Sequence, residues 1–231
     1  MPDHPDLRTG AVYGTGKREE NLRGYFAAIS AMDEQIGRLL DAVEEQGLAD
    51  NTVILFTADN GMSMGQHGVW GKGNGTFPMN MYDSAVKVPF LISWPGHIPA
   101  NTVCSEMISA CDLLPTILKL TGLSDKQPTG LPGRSFTELL KGEQKEHRDE
   151  VVIFDEYGPV RMIRTKEWKY VHRYPYGKHE LYHLVDDPGE EKNLYGLPEY
   201  KKLVTQLKGR MEKWFCTYSD PAIDGVRSAV N

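Results

Sequence analysis

The stretch NTVILFTADNG, residues 51–61, decides how this chain is read. Val53, Ile54, Leu55 and Phe56 form a short apolar run of the length and type expected of a buried strand. Asp59 and Asn60 follow at its carboxyl end, which is where ligands bind in open α/β sheets. Taken alone, Asp-Asn-Gly is also a common turn, because Gly61 supplies the positive φ that many turns need. The loop that follows shifts the balance. Residues 59–87 contain Gly61, Gly65, Gly68, Gly71, Gly73 and Gly75 together with His67 and Lys72. Loops this long inside compact domains are usually functional or disordered. Asp59 and Asn60 offer hard oxygen donors of the kind calcium and magnesium prefer over zinc. Lys72 lies 72 − 59 = 13 residues further on. Its ammonium can neutralise a tetrahedral oxyanion, and the glycines around it let backbone approach a ligand closely.

Upstream of the strand, Tyr25, Phe26, Ile29, Met32, Ile36, Leu39, Leu40 and Val43 recur at helical spacing, and Gly47 is placed for a left-handed C-terminal cap. This predicts an amphipathic helix leading into a strand over 52–58, a unit from which layered α/β sheets are built. A second apolar strand is expected over 88–94, followed by a turn at Trp94, Pro95, Gly96 and His97. Asp112 is placed to cap a short helix, Leu113–Leu120, with Pro115 in its first turn and Gly122 after its end. Ser135 and Glu138 have the spacing of a capping box for a further small helix. Beyond residue 150 the pattern changes to short strands at 151–154, 160–165, 168–172 and 181–184, the signature of a small antiparallel sheet. A closing helix over 199–215 would lay Tyr200, Leu203, Val204, Leu207, Met211 and Trp214 on it.

The formal net charge of −6 and the lack of any basic run argue against a nucleic-acid surface. Cys104, Cys111 and Cys216 are odd in number and lack Cys-x-x-Cys spacing, so they read as buried or incidental thiols, with a disulfide between two of them left open. No apolar run is long enough to span a bilayer. Residues 1–20 are polar and rich in Gly and Pro, read as a linker that carries no core; they hold no signal-peptide core, so location is unreadable. His97, His172 and His183 read as structural or solvated. Gly61, Ser63 and Gly65 satisfy Gly-x-Ser-x-Gly, yet the glycine-rich run after Ser63 opposes the helix that a nucleophile elbow requires.

Several ordered blocks together resemble the type I sulfatases of the alkaline-phosphatase superfamily. They are YFAAISAMDEQIG (25–37), DNG (59–61), GQHG (65–68) with Lys72, MYDSAVKVP (81–89), WPG (94–96) and DLLPT (112–116). WKY (168–170), ELYHLVDDP (180–188) and EKN (191–193) are similar to the closing antiparallel subdomain of that family. The resemblance implies that Asp59 and Asn60 bind a divalent cation, usually Ca2+ with Mg2+ as the alternative, that Lys72 contacts the sulfate, and that His67 belongs to the same loop, either in catalysis or as a hydrogen-bonding support. It implies a sulfated small molecule or glycan as substrate. The family converts a Cys or Ser in Cys/Ser-x-Pro-x-Arg to formylglycine, and that motif is not encoded here: Tyr157 and Gly130 occupy the nucleophile position of the two Pro-x-Arg sequences.

The fold class expected is therefore α/β: residues 1–125 as part of an alkaline-phosphatase-like layered sheet domain, 126–150 as a connection, and 151–231 as a small α+β subdomain. The function expected is that of the C-terminal portion of a sulfatase, inactive alone. A phosphate or phosphonate monoester hydrolase and a non-catalytic binding module are the alternatives. A missing N-terminal half, or a second copy, is expected to cover an otherwise exposed sheet.

Overall fold

A two-residue strand, β1 (Arg8–Thr9), precedes a 28-residue helix, α1 (Arg18–Glu45). The computed structural model describes residues 8–9, 18–143, 146–155, 158–174, 177–224 and 226. The chain divides into two units, Met1–Thr102 and Val103–Asn231. Residues 1–7 and 10–17 of the expected linker, His4 among them, lie outside the described residues, as does Tyr157.

In the first unit α1 ends as its sequence dictates. Gly47 takes φ 65°, and the N–H groups of Gly47 and Leu48 reach back to the carbonyls of Glu44 and Val43. These bonds satisfy carbonyls that a helix end would otherwise leave open. β2 (Ile54–Thr57) follows, then β3 (Ser63–Met64), β4 (Trp70–Gly71), β5 (Thr76–Phe77), the single turn α2 (Asp83–Val86) and β6 (Phe90–Ser93). β2 pairs antiparallel with β6, Ile54 opposite Ser93 and Thr57 opposite Phe90. β3 pairs with β4, and β5 with β1, so Arg8 and Thr9 are tied to Phe77 and Thr76 although the sequence reads as linker there.

The burial of this unit departs from expectation. The apolar run at 53–56 is only half-buried, and no residue of α1 is buried. Phe26 (59% exposed), Met32 (46%) and Leu39 (67%) leave the helix stripe open, because a two-stranded ribbon offers no surface to bury it. The buried side chains lie instead in the loop segment: Val69, Met81, Tyr82 and Ala85, with Ser63, Thr76 and Asn80 among them.

The second unit contains α3 (Leu113–Leu120), α4 (Thr137–Leu140), β7 (Val151–Phe154), β8 (Val160–Arg164), β9 (Trp168–Arg173), β10 (Glu180–His183) and α5 (Lys201–Tyr218). The strands form an antiparallel meander, β7 to β10 in sequence order. Alternation along the strands sends Val152, Ile163, Tyr170 and Leu181 to one face, where Leu207, Met211 and Phe215 of α5 close over them.

Two caps differ from expectation. Asp112 makes no side-chain cap on α3. Its buried carboxylate accepts the Ser109 N–H (2.9 Å), the Arg134 N–H (2.7 Å) and both arms of the Arg148 guanidinium, completing a capping box for the 3-10 turn at Ala110–Asp112. Burial alone would raise the Asp112 pKa; the Arg148 bonds and the two backbone donors outweigh it and hold the carboxyl below its usual range. Ser135 and Glu138 do not form the second capping box: Ser135 meets the Thr137 hydroxyl, and Glu138 pairs with Lys119. All three cysteines are free and exposed. No helix among the described residues is long and apolar enough to cross a membrane.

Candidate functional site

Asp59 and Asn60 leave the carboxyl end of β2, with the Thr57 hydroxyl anchored to the Pro89 carbonyl at 2.8 Å. Asp59 is exposed and accepts the Asn60 N–H through Oδ1 at 2.8 Å, while Asn60 is half-buried. The turn is set by close approach to α2. The Gly61 N–H donates to the Ala85 carbonyl at 2.9 Å, and a Cβ on Gly61 would lie 2.2 Å from the Ser84 carbonyl oxygen. Gly61 is thus required for space and does not have the positive φ that its turn chemistry suggested.

From there the chain runs into the β3–β4 hairpin. Ser63 is fully buried, and its hydroxyl meets that of Ser84 at 2.7 Å. It sits on a strand, with only a 3-10 turn at Gln66–Gly68 ahead of it, so it is no exposed nucleophile. At the hairpin tip Gly65 and Gly68 take positive φ, and His67 does so as well (φ 54°). The His67 ring lies flat on the buried Tyr82 ring, 3.8 Å between centroids and 6° between planes. That stack holds a non-glycine residue in a left-handed conformation at the tip.

Lys72 directly follows Gly71, the register partner of Ser63, so the hairpin carries it back toward the Asp59–Asn60 end. Its backbone is clamped by a residue the sequence did not flag. Asn80, 1% exposed, donates its side-chain N–H groups to the carbonyls of Lys72 and Gly73, each at 3.1 Å, and its own N–H to the Gly73 carbonyl at 3.0 Å. The Lys72 carbonyl also accepts the Gly75 N–H at 2.8 Å. No local signature marks Asn80, because its role exists only once the glycine loop has wrapped round it. The Lys72 side chain is exposed. Among the described residues neither the Asp59 carboxylate nor the Lys72 ammonium has an ion-pair partner. The segment before the hairpin thus carries an exposed carboxylate and a half-buried amide, and the residue after it an exposed ammonium. No group of three or more His, Cys, Asp or Glu side chains among the described residues is gathered closely enough to hold a metal ion. Asp59 and Asn60 bring two side-chain oxygen donors next to each other at the end of β2.

Of the histidines read as structural, His172 is 7% exposed, its Nδ1 is 2.6 Å from the Tyr170 hydroxyl, and its ring stacks on His179 at 3.9 Å. Burial, then the neighbouring His179, Lys208 and Arg161 charges, push its pKa down to about 3. His183 lies 2.8 Å from Asp186, and His97 stacks on Trp94.

Comparison with known proteins matches residues 3–123 to the family model described as Sulfatase, and residues 65–216 to that described as N-sulphoglucosamine sulphohydrolase, C-terminal. The glycine loop carrying Lys72 lies in both. An N-acetylglucosamine-6-O-sulfatase of Bacteroides thetaiotaomicron is 31% identical over 230 residues, covering 93% of this chain and 39% of the relative. A protein solved in complex with its substrate D-glucosamine-2-N,6-O-disulfate superposes with a TM-score of 0.79 at 30% identity, over 93% of this chain and 45% of that one. A phosphonate monoester hydrolase of Agrobacterium radiobacter superposes at 0.70 and 27% identity, over 84% of this chain and 41% of that one. The chain spans less than half the length of each of these proteins.

Proposed function

The chain belongs to the sulfatase family, with its alkaline-phosphatase-like α/β fold and small antiparallel subdomain, and from that premise we propose that it is the C-terminal portion of a metal-dependent hydrolase of sulfate esters. The observation that carries the proposal is the β3–β4 hairpin, which follows Asp59 and Asn60 and ends at a backbone-clamped Lys72, with neither the Asp59 carboxylate nor the Lys72 ammonium in an ion pair among the described residues. Asp59 and Asn60 would hold a divalent cation, Ca2+ in preference to Mg2+. Their hard oxygens fit it, and because Ca2+ takes six to eight oxygen ligands the rest of the shell comes from elsewhere. When bound, the cation would polarise a sulfate oxygen as a Lewis acid.

Lys72 holds another sulfate oxygen by charge-assisted hydrogen bonds and offsets charge that builds in the transition state. Asn80 keeps the Lys72 backbone from drifting, which matters because electrostatic catalysis depends on groups fixed in place before reaction. His67, flat against Tyr82, shapes the hairpin tip; that stack favours support of the loop over proton transfer. No Cys/Ser-x-Pro-x-Arg is encoded and Ser63 is buried, so the chain is inactive alone. The open stripe of α1 and the half-buried β2–β6 ribbon are the surfaces on which the remainder of a sulfatase would sit. Sulfated sugars are the favoured substrates, since two of the similar proteins are named for them or were solved with one. A phosphonate monoester hydrolase is the second reading, favoured by the Agrobacterium radiobacter structure.

The test is complementation. The chain is co-expressed with a sulfatase N-terminal portion that carries a modified Cys-x-Pro-x-Arg, and the pair is assayed in Ca2+ with N-acetylglucosamine 6-sulfate and with phenyl phenylphosphonate. Release of sulfate that falls by at least about 100-fold in Lys72→Ala, the size expected for losing one oxyanion-binding group, supports the proposal. Faster turnover of the phosphonate selects the second reading. Sulfate release indifferent to Lys72→Ala and Asp59→Ala would overturn the site.

A further inference from the structure

The second unit contains a cavity of about 290 Å³ between the segment before β7 and the outer face of α5, which the proposed chemistry does not use. Arg134, Arg148, Glu150, Arg210, Trp214 and Tyr218 line it. Its inner wall is built rigidly: Arg148, 9% exposed, is fixed by both oxygens of the buried Asp112 and by the Pro132 carbonyl. Two aromatic side chains of α5 also line it. The Trp214 and Tyr218 rings stand 5.3 Å apart at 56°, and Trp214 is held from behind by Phe215 at 5.0 Å.

The charges of the lining sort themselves. Arg148 is matched by Asp112 and Arg210 by Glu150. Asp149 also lines the cavity and, like Arg134, makes no ion pair among the described residues, so Arg134 is the one lining cation without a matched carboxylate. Its backbone N–H is fixed on Asp112 at 2.7 Å, while its exposed guanidinium has no partner among the described residues. A guanidinium of this kind, planar, weakly hydrated and rich in donors, recognises sulfate and carboxylate oxygens through paired hydrogen bonds. The lining is mostly polar, and Trp214 and Tyr218 add a small apolar strip beside the guanidinium for a flat, amphipathic body. The volume admits one monosaccharide, at the small end of ligand pockets.

We infer that this cavity is an accessory subsite for an anionic pyranose, its sulfate or carboxylate on Arg134 and its ring against Trp214 and Tyr218. The inference rests on the sulfatase reading for its biological sense, because a second sugar of a sulfated glycan is the natural occupant. It does not depend on the Lys72 chemistry.

The experiment is a titration of the full chain with N-acetylglucosamine 6-sulfate, glucuronate, N-acetylglucosamine and inorganic sulfate, following the Trp214 indole N–H by NMR. The expected result is a saturable shift with N-acetylglucosamine 6-sulfate, with glucuronate, or with both; which of them binds identifies the anion. Arg134→Gln, which keeps the backbone bond to Asp112, weakens binding at least tenfold, and Tyr218→Ala about threefold. Equal binding of N-acetylglucosamine or of inorganic sulfate overturns the inference, since ring and anion would then not be read together. Unchanged affinity in Arg134→Gln overturns it as well. Loss of the shift in Lys72→Ala but not in Arg134→Gln assigns the sugar to the hairpin, ending the subsite while leaving the sulfatase reading intact. Failure of the complementation assay with the Trp214 response preserved would do the reverse.

Discussion

α1 and α5 are both long amphipathic helices, yet one is buried along its stripe and the other is not. Leu207, Met211 and Phe215 of α5 are 2%, 0% and 6% exposed against the four-stranded meander. Phe26, Met32 and Leu39 of α1 remain largely in solvent beside a two-stranded ribbon. Helical pattern alone therefore does not make a core; the facing surface does, and the second unit supplies its own while the α1 region does not. An apolar stripe of that length is a mark of an interaction surface. The relatives that the chain matches run to more than twice the matched length.

The sharpest break in this contrast is at Asp112. Replacing it with Ala strips Arg148 of its partner inside the second unit, and a buried charge left unpaired costs about 3–5 kcal/mol. Urea denaturation followed by tryptophan fluorescence should show the second unit melting first. Next comes the direct comparison of helices. Leu207→Ala is expected to cost about 2–5 kcal/mol as a core truncation, and Leu39→Ala about 0.5 kcal/mol or less in the isolated chain. Equal effects in the same denaturation experiment would erase the distinction.

A smaller effect separates the regions by pH. His172 is neutral in the folded protein with a pKa near 3, below its unfolded value of about 6.5. Its folded pKa is depressed, so the unfolded chain binds the extra proton. Stability is full above about pH 6.5 and falls by roughly 1.4 kcal/mol per pH unit as pH drops toward 3. The partner ring of His179, also depressed by burial and then by the Arg173 and Lys208 charges, adds to the slope in the same direction. Thermal melts of the wild type between pH 7 and pH 4 should steepen in this way, and His172→Phe should flatten them. The smallest effect is in the loop. Asn80→Ala removes the clamp on the Lys72 and Gly73 carbonyls and should cost about 1–3 kcal/mol, seen as faster amide exchange at Gly75 with little change at α5.

Much of this was legible in the chain. The period of α1 and α5, the Gly47 stop and the alternation of β7 to β10 follow from local sequence, and the structure has each of them within a few residues. Burial was less legible. The run at 53–56 is apolar enough for a central strand, but how far it is buried depends on neighbouring strands that no local pattern encodes. Asp112 looked like a helix cap because the sequence around it says so; Arg148, 36 residues away, claims its carboxylate instead. Asp59, Asn60 and Lys72 stood out through residue type and spacing; the structure places the first two between β2 and β3 and the third directly after β4. Asn80, which clamps that hairpin, gave no signal, since it acts on backbone that comes together only after folding, and Tyr82 stood out only as part of the 81–89 block, not for its stack on His67.

The most direct measurement is hydrogen exchange of α1, β2 and β6 in the isolated chain and again after association with a sulfatase N-terminal portion. Those amides are expected to exchange fast beside slowly exchanging β8, β9 and α5, and to gain protection on association together with sulfate-ester hydrolysis. Protection already present in a monomeric isolated chain, or no gain on association, would contradict it.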